Sequence, residues 1–388
     1  MRIGFPREIK DGEARAGATP DTVRALVARG HEPLVEAGVG DRVGYPDAEY
    51  RAAGAVVAGG PDAIFACPLV VKVKELQPPE LALLRPGCVV FGYQQLARDR
   101  SLLEAVLRAR VTCLAYESVR AEDGSRPLLS PMSTIAGLMS APLAAWLLQR
   151  RDGPLSGSGV LLPGLDGVPP GRVLILGAGV AGLAAARAFL GTGCHVTLLV
   201  REASRAGDAA AAIGPPRSGT LEVATSSPDE VAALVPRSDV VVGAVAVRGR
   251  LSPRLVTRES LRRMRPGSVL IDIGIDMGGV AETSRQTKLS DPVFSEEGVL
   301  HYCVPNIPAL VPRTATDALT SATLPYVAAL AEHGLAGALA VVPALRAGVL
   351  VHDGAVADEG LAADSGRPLG GAPAAAPAGS RESGGGAR

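Results

Sequence analysis

The 388-residue sequence predicts an α/β protein made of two doubly wound domains. Three observations carry this. Residues 172–201 read as strand, glycine turn, helix and strand; short apolar strands alternate with helical stretches ahead of it; and two further buried apolar runs follow it. A chain of this length can give each domain its own core.

Taken in order, residues 2–5 form a short strand, and Thr19-Pro20-Asp21 caps a helix whose apolar side is Val23, Leu26 and Val27. A strand over 31–36 ends in the turn Gly38-Val39-Gly40, and strands follow at 69–73, 89–93 and 112–115. Turns such as Arg85-Pro86-Gly87 separate them. Residues 133–150 read as a long connecting helix kinked at Pro142, and 152–171, dense in Gly and Pro, as a connector of turns.

The sequence RVLILGAGVAGLAAARAFLGTGCHVTLLVR then spans 172–201. Gly177 lets the chain leave its strand sharply, Gly179 lets backbone approach a pyrophosphate, and Gly182 lets the helix lie close to the sheet. Free N–H groups at the helix start, around Val180 and Ala181, face the phosphates. This reads as a Rossmann-like dinucleotide site in its required context, the alternative being a doubly wound domain that binds no phosphate. The carboxylate expected about 20 residues on, for the ribose hydroxyls, is replaced by Val200, with Arg201 next and Arg205 nearby. Those arginines suit a 2′-phosphate or are solvated charges at a helix start, so NADP and NAD both stay open. Buried strands at 240–245 and 268–273 extend the sheet, and 314–340 is helical.

Composition narrows the partners. Lys plus Arg and Asp plus Glu each number 39, so no nucleic acid or anionic membrane is expected. Five cysteines stand singly among apolar neighbours without metal-ligand spacing, as reduced core thiols do, and no metal is expected. The charged start MRIGFPREIK does not read as a signal peptide, and no stretch reaches transmembrane length without charge or Pro. The expected location is the cytoplasm. Residues 362–388, rich in Gly, Pro, Ala and Ser, are expected to be a disordered tail.

Six separated stretches share one resemblance: MRIGFPREIKDGEARAGATP, LVVKVKELQ, LLSPMSTIAG, the glycine loop, VLIDIGIDMGG and HYCVPNIPALVPRTAT. Their order and spacing resemble the alanine dehydrogenases over roughly residues 1–361, with the related transhydrogenase α subunit similar over the first half and the glycine loop. The resemblance implies two Rossmann-like domains with a cleft between them. Residues 131–304 would hold the nicotinamide cofactor, and 1–130 with 305–361 would form a substrate domain. It also implies a homo-oligomer, hexameric by resemblance, for which the aliphatic helices near 134–149 and 318–331 could supply an interface.

The resemblance assigns roles residue by residue. Arg15 is similar to the arginine that holds the substrate carboxylate, which suits a forked guanidinium. Lys74 resembles the lysine on the carboxylate and carbonyl, where an ammonium polarises C=O. Asp276 matches the aspartate near nicotinamide and substrate amine. Ser133, Ser226, Arg205, Arg285 and Asn306 match positions lining the cofactor cleft, with Asn306 also placed toward substrate; Val245, Ala246 and Ile273 join the cofactor contacts at the ends of their strands.

The pattern departs at one place above all. The family's catalytic histidine, in a motif like YLHLA, is Gln95 here, which can orient a substrate but cannot act as acid or base near neutrality. Val247-Arg248-Gly249 replaces a proline-containing turn, and Thr134 a residue commonly acidic. The expected activity is hydride transfer between NAD(P)H and an amino acid, 2-oxo acid or imino acid, other than standard alanine deamination. A catalytically inactive nucleotide- or partner-binding relative, and an NAD-retaining lyase or cyclodeaminase, are the alternatives.

Overall fold

A computed structural model describes residues 1–245, 251–371 and 373. The chain divides into two compact units, one of residues 1–131 with 311 onward, the other of residues 132–310. The helix Ser130–Leu147 contains the first crossing between them, and the second falls at 310/311.

The first unit holds β1 (Arg2–Phe5), β2 (Glu32–Glu36), β3 (Val56–Ala58), β4 (Leu69–Val71), β5 (Val89–Gly92) and β6 (Thr112–Ala115). The second holds β7 (Arg172–Leu176), β8 (His195–Val200), β9 (Thr220–Thr225), β10 (Val240–Gly243), β11 (Val269–Asp272), β12 (Val293–Glu296) and β13 (Val299–Tyr302). The chain then returns to the first unit with β14 (Val349–His352) and β15 (Ala355–Val356).

Both sheets are built on one plan. In the first, β3-β2-β1-β4-β5-β6 run parallel, and β14 and β15 add antiparallel strands beyond β6. In the second, β9-β8-β7-β10-β11-β13 run parallel, and β12 closes the end as an antiparallel partner of β13. Each parallel set reverses its order once, between β1 and β4 and between β7 and β10. Ligands of open α/β sheets bind beyond the carboxyl ends of strands at such a reversal.

The second sheet shows why these residues form strands. Val173, Ile175, Val196, Leu198, Val240, Val242 and Ile271 point to one core with the helices Ser130–Leu147 and Val180–Gly191. Leu174, Leu176, Leu199, Val241 and Leu270 point to the other, shared with the helices Pro228–Leu234 and Arg258–Arg262. Continuous aliphatic runs are what a strand buried on both faces requires. Small side chains let the helices close in: a Cβ on Gly137 would overlap the Ala181 carbonyl oxygen.

Several expected boundaries shift. The strands expected over 69–73 and 89–93 stop at Val71 and Gly92, because the chain diverges there into the loops that carry the candidate site. Val27 ends its helix exposed, while Val23 and Leu26 are buried. The connecting helix begins at Ser130 and ends at Leu147, with Pro142 inside it. The stretch expected to be helical over 314–340 is Pro312–Val341, joined at Gly334, whose φ of 64° lies outside the helical range. That helix is long and apolar enough to cross a membrane by composition, yet Leu319, Val327 and Leu330 are buried in the first unit. The expected tail begins too early. Residues 359–365 form a helix capped by Asp358, Leu369 pairs with Val356, and Arg367 meets Glu104. Residue 372 and residues 374–388 lie outside the described residues.

Phe189 is fully buried between its helix and the second sheet. Phe189→Ala is expected to cost about 3–5 kcal/mol in urea unfolding, through lost transfer energy and a residual cavity.

Candidate functional site

The first unit gathers charge at its reversal point. Arg15 follows β1, Lys74 follows β4, Gln95 follows β5 and Glu117 follows β6, so all four leave the same end of the parallel sheet. Arg15 is 2% exposed, and Glu13 clamps its Nε at 2.7 Å and its Nη2 at 2.6 Å. Burial alone would raise the Glu13 carboxyl, but Arg15, with Lys74 beyond it, holds it down to about 2. The guanidinium is therefore fixed in orientation as well as in charge.

The two lysines of the KVK stretch have opposite fates. Lys72 is wholly buried and bound at 2.7 and 2.9 Å to the two oxygens of Glu80, with Glu8 at 3.6 Å. Lys74 is 8% exposed, and among the described residues its ammonium makes no hydrogen bond or ion pair. Burial lowers its pKa first and the neighbouring Arg15 cation lowers it further. Glu13 and Glu75 act in the opposite direction without outweighing burial and Arg15.

Gln95 sits in a left-handed backbone conformation, with φ of 49°. Its N–H donates to Glu117 Oε1 at 3.0 Å, and the Gln94 N–H reaches the same oxygen at 3.1 Å. Burial raises the Glu117 carboxyl. Gln94 points inward, its amide nitrogen donating to the Val90 and Leu114 carbonyls, so Gln95 is the glutamine presented at the strand end.

The second unit gathers glycines at the β7/β10 reversal. The helix Val180–Gly191 starts at Gly179 with no side-chain cap. Gly177 has φ of 101°, and a Cβ on Gly182 would overlap the Gly177 carbonyl oxygen, so these two glycines are demanded by the backbone. Gly179 is different: a Cβ there would meet nothing within 4 Å. Open space in front of an uncapped helix start fits a pyrophosphate. Ala181 and Val180 form the first turn, and Val245 and Ile273 stand just past β10 and β11. Ala246 and the turn Val247-Arg248-Gly249 lie outside the described residues.

Val200 is buried at the end of β8, its carbonyl accepting the Ser226 N–H at 2.7 Å. Arg201 and Arg205 stand out in solvent, beside Glu202 at 3.0 Å and Asp208 at 3.6 Å. Ser133 lies in the first turn of Ser130–Leu147, and Asn306 precedes the short turn Ile307–Leu310. Asn306 belongs to the second unit, since the first resumes at Val311.

Asp276 lies on the one-turn helix Ile275–Met277 after β11. The loop around it is tied by Asp272, wholly buried at the strand end, whose Oδ2 accepts the Val280 N–H at 2.7 Å and the Ser284 hydroxyl at 2.6 Å. Burial raises the Asp272 carboxyl. Arg285 lies 3.8 Å over the Phe294 ring, which stacks on His301 at 4.7 Å. His301 Nδ1–H donates to the Val299 carbonyl and Nε2 faces the Thr283 hydroxyl, which fixes a neutral tautomer; burial lowers its pKa as well.

Sequence reasoning passed over Glu8, Glu13, Glu117 and Asp272. Glu13 had a local signal, standing two residues before Arg15. The other three act on partners that only the folded sheet brings near.

Two sheets in the 3-2-1-4-5-6 order, one with a glycine-lined helix start and one with buried cations, define a two-domain protein of the dinucleotide-binding class. The Alanine dehydrogenase/PNT N-terminal domain matches residues 4–136, and the Alanine dehydrogenase/PNT C-terminal domain matches 142–359. The chain belongs to the alanine dehydrogenase/PNT family. It is 43% identical over 355 residues to alanine dehydrogenase of Halomonas elongata, covering 91% of this chain and 94% of that one. With alanine dehydrogenase of Mycobacterium tuberculosis it shares 42% over 370 residues, covering 95% and 98%. A solved L-alanine dehydrogenase superposes with a TM-score of 0.89 at 40% identity, covering 94% of this chain and 99% of that chain. Transhydrogenase from Sinorhizobium meliloti gives 0.77 at 26%, covering 92% and 99%.

The two kinds of glycine can be separated by experiment. Gly182→Ala is expected to lose at least about 2 kcal/mol of stability through overpacking, whereas Gly179→Ala should melt with the wild type. Equal melting of both variants would contradict the backbone overlap.

Proposed function

We propose that this chain is an NAD(P)-dependent amino acid dehydrogenase or imine reductase whose substrate carries a carboxylate, and that ordinary alanine deamination is not its main reaction. The unpaired, buried Lys74 ammonium beside Arg15 is the observation that supports this most directly. Arg15, held by Glu13, would take the carboxylate, and Lys74 would take the carboxylate or the adjacent C=O or C=N. Gln95 would orient the reacting group by hydrogen bonds from a position fixed by Glu117.

In the second unit, Gly177, Gly179, Val180, Ala181 and Gly182 would hold the pyrophosphate, with Ser133, Ser226, Val245, Ile273, Arg285 and Asn306 lining the rest. Asp276 would exchange the proton with the substrate nitrogen. A nicotinamide, when bound, supplies hydride transfer. The absence of a carboxylate at Val200, with Arg201 and Arg205 exposed beside it, supports a cofactor bearing a 2′-phosphate.

Gln95 bears on the reaction rather than on binding. An amide does not titrate near neutrality, so a substrate that arrives as an imine, or brings its own nitrogen base, is the one this site can turn over. A small-molecule reaction of this kind needs no nucleic acid partner.

Titration with NADPH and NADH, followed by nicotinamide fluorescence, should show NADPH bound at least as tightly. Val200→Asp is expected to move the preference toward NADH by about tenfold, or about 1.4 kcal/mol. Binding of neither would sink the oxidoreductase reading and favour an inactive relative. Gln95→His should raise alanine-dependent cofactor reduction by about a hundredfold, the scale of general acid–base catalysis. No gain would mean that more than the missing imidazole separates this site from alanine chemistry.

A further inference from the structure

We infer that Glu8 is the positioning residue for Lys74, holding the segment that presents its ammonium and setting the charge balance behind it. This rests on the carboxylate-binding role proposed for Lys74 and Arg15.

The reason lies in the edge geometry of β4. That strand lies between β1 and β5, and β1 pairs with it only at Ile3↔Leu69 and Gly4↔Val70 before turning away. On the β5 side the ladder continues past Val71: Lys72 N–H donates to the Phe91 carbonyl, and the Val73 carbonyl accepts the Tyr93 N–H. On the β1 side, among the described residues, no backbone carbonyl accepts from the next N–H groups. Glu8 supplies the acceptor instead. Its Oε1 takes the Val73 N–H at 2.6 Å and the Lys74 N–H at 3.3 Å, so a side-chain carboxylate replaces a strand for two residues.

That carboxylate is 5% exposed and faces a defined set of charges. Lys72 lies opposite its second oxygen at 3.6 Å, and Lys72 in turn is held by Glu80 and by the Glu75 carbonyl at 3.3 Å. Glu80 and Glu13 add negative charge, and the Arg15 guanidinium feels the Glu8 charge from the other side. The Tyr116 hydroxyl also feels the Glu8 charge. Burial, with Glu80 and Glu13 adding to it against the pull of Lys72 and Val73, places the Glu8 carboxyl at about 7. Ionisation therefore falls in the neutral range, where an added negative charge near Arg15 weakens the hold on an anion. Affinity for a carboxylate should fall as pH rises through 7, governed in part by a group that never touches it.

Competitive labelling with acetic anhydride tests this in the full chain, which has four lysines to resolve, at positions 10, 72, 74 and 288. Pyruvate is the probe for carboxylate occupancy. Glu8→Gln keeps a carbonyl oxygen for both N–H groups; Glu8→Met removes the acceptor. Lys74 in E8M is expected to label at least about fivefold faster than in wild type, as a released strand end would, with E8Q within about twofold of wild type. Between pH 6 and 8 the pyruvate concentration that half-protects Lys74 should rise about threefold more in wild type than in E8Q.

Folded E8M labelling at the wild-type rate would overturn the positioning role. Should E8M fail to fold, E8Q carries the test alone, and a pH dependence identical to wild type would overturn the charge coupling. Faster labelling in E8M without pyruvate protection in any variant would uphold Glu8 as the holder of Lys74, and sink the carboxylate reading of the site instead.

Discussion

The constraint on which the first unit depends is the burial of full charges where parallel strands diverge. Arg15, Lys72, Glu13 and Glu80 are all 3% exposed or less. Charges at that depth persist only when paired and hydrogen-bonded, because desolvation costs several kcal/mol per ion. Glu13 with Arg15 and Glu80 with Lys72 meet this condition directly. What remains is Lys74, whose ammonium has no hydrogen bond or ion pair among the described residues and whose charge Glu13 and Glu75 only partly offset against burial and Arg15. The binding capacity proposed for this unit is the remainder of its internal pairing.

The second unit solves a different problem with backbone instead of charge. Its reversal point is lined by glycines, and Asp272, wholly buried, ties the loop that carries Asp276 to the strand end. Arg285 is steadied by an aromatic ring and, among the described residues, by no carboxylate ion pair. A guanidinium held over a ring keeps its hydrogen-bond donors for other partners. Preorganisation here comes from shape, and in the first unit from electrostatics.

Much of this was legible in the sequence because it depends on period and on residue type. The runs at β6, β7 and β8 give the strands, and the glycine spacing announces the helix start. Lys74 was singled out through resemblance, and its role stays a proposal. Depth was not legible. Nothing local tells Glu8 from any acid in a charged segment, since its partners lie 65 and 66 residues away. The β12–β13 hairpin and the β14–β15 pair were missed for a related reason: their short runs acquire meaning only as antiparallel covers on sheets otherwise built from crossovers. The tail was placed too early because composition sees Gly and Pro but not the cap at Asp358 or the pairing of Leu369 with Val356.

The order in which the chain leaves the ribosome adds a consequence. The second unit is a continuous insertion, complete once residue 310 has been made. The first is interrupted, and β6 keeps an open edge until β14, which begins at Val349, pairs with it. Domains fold as units during synthesis, so the later-starting unit can close first while the earlier one waits with an unpaired strand edge. The nascent chain is thus most exposed to edge-to-edge association while the segment from 311 to 349 is still emerging, and the dinucleotide-type unit is already in place when that gap closes.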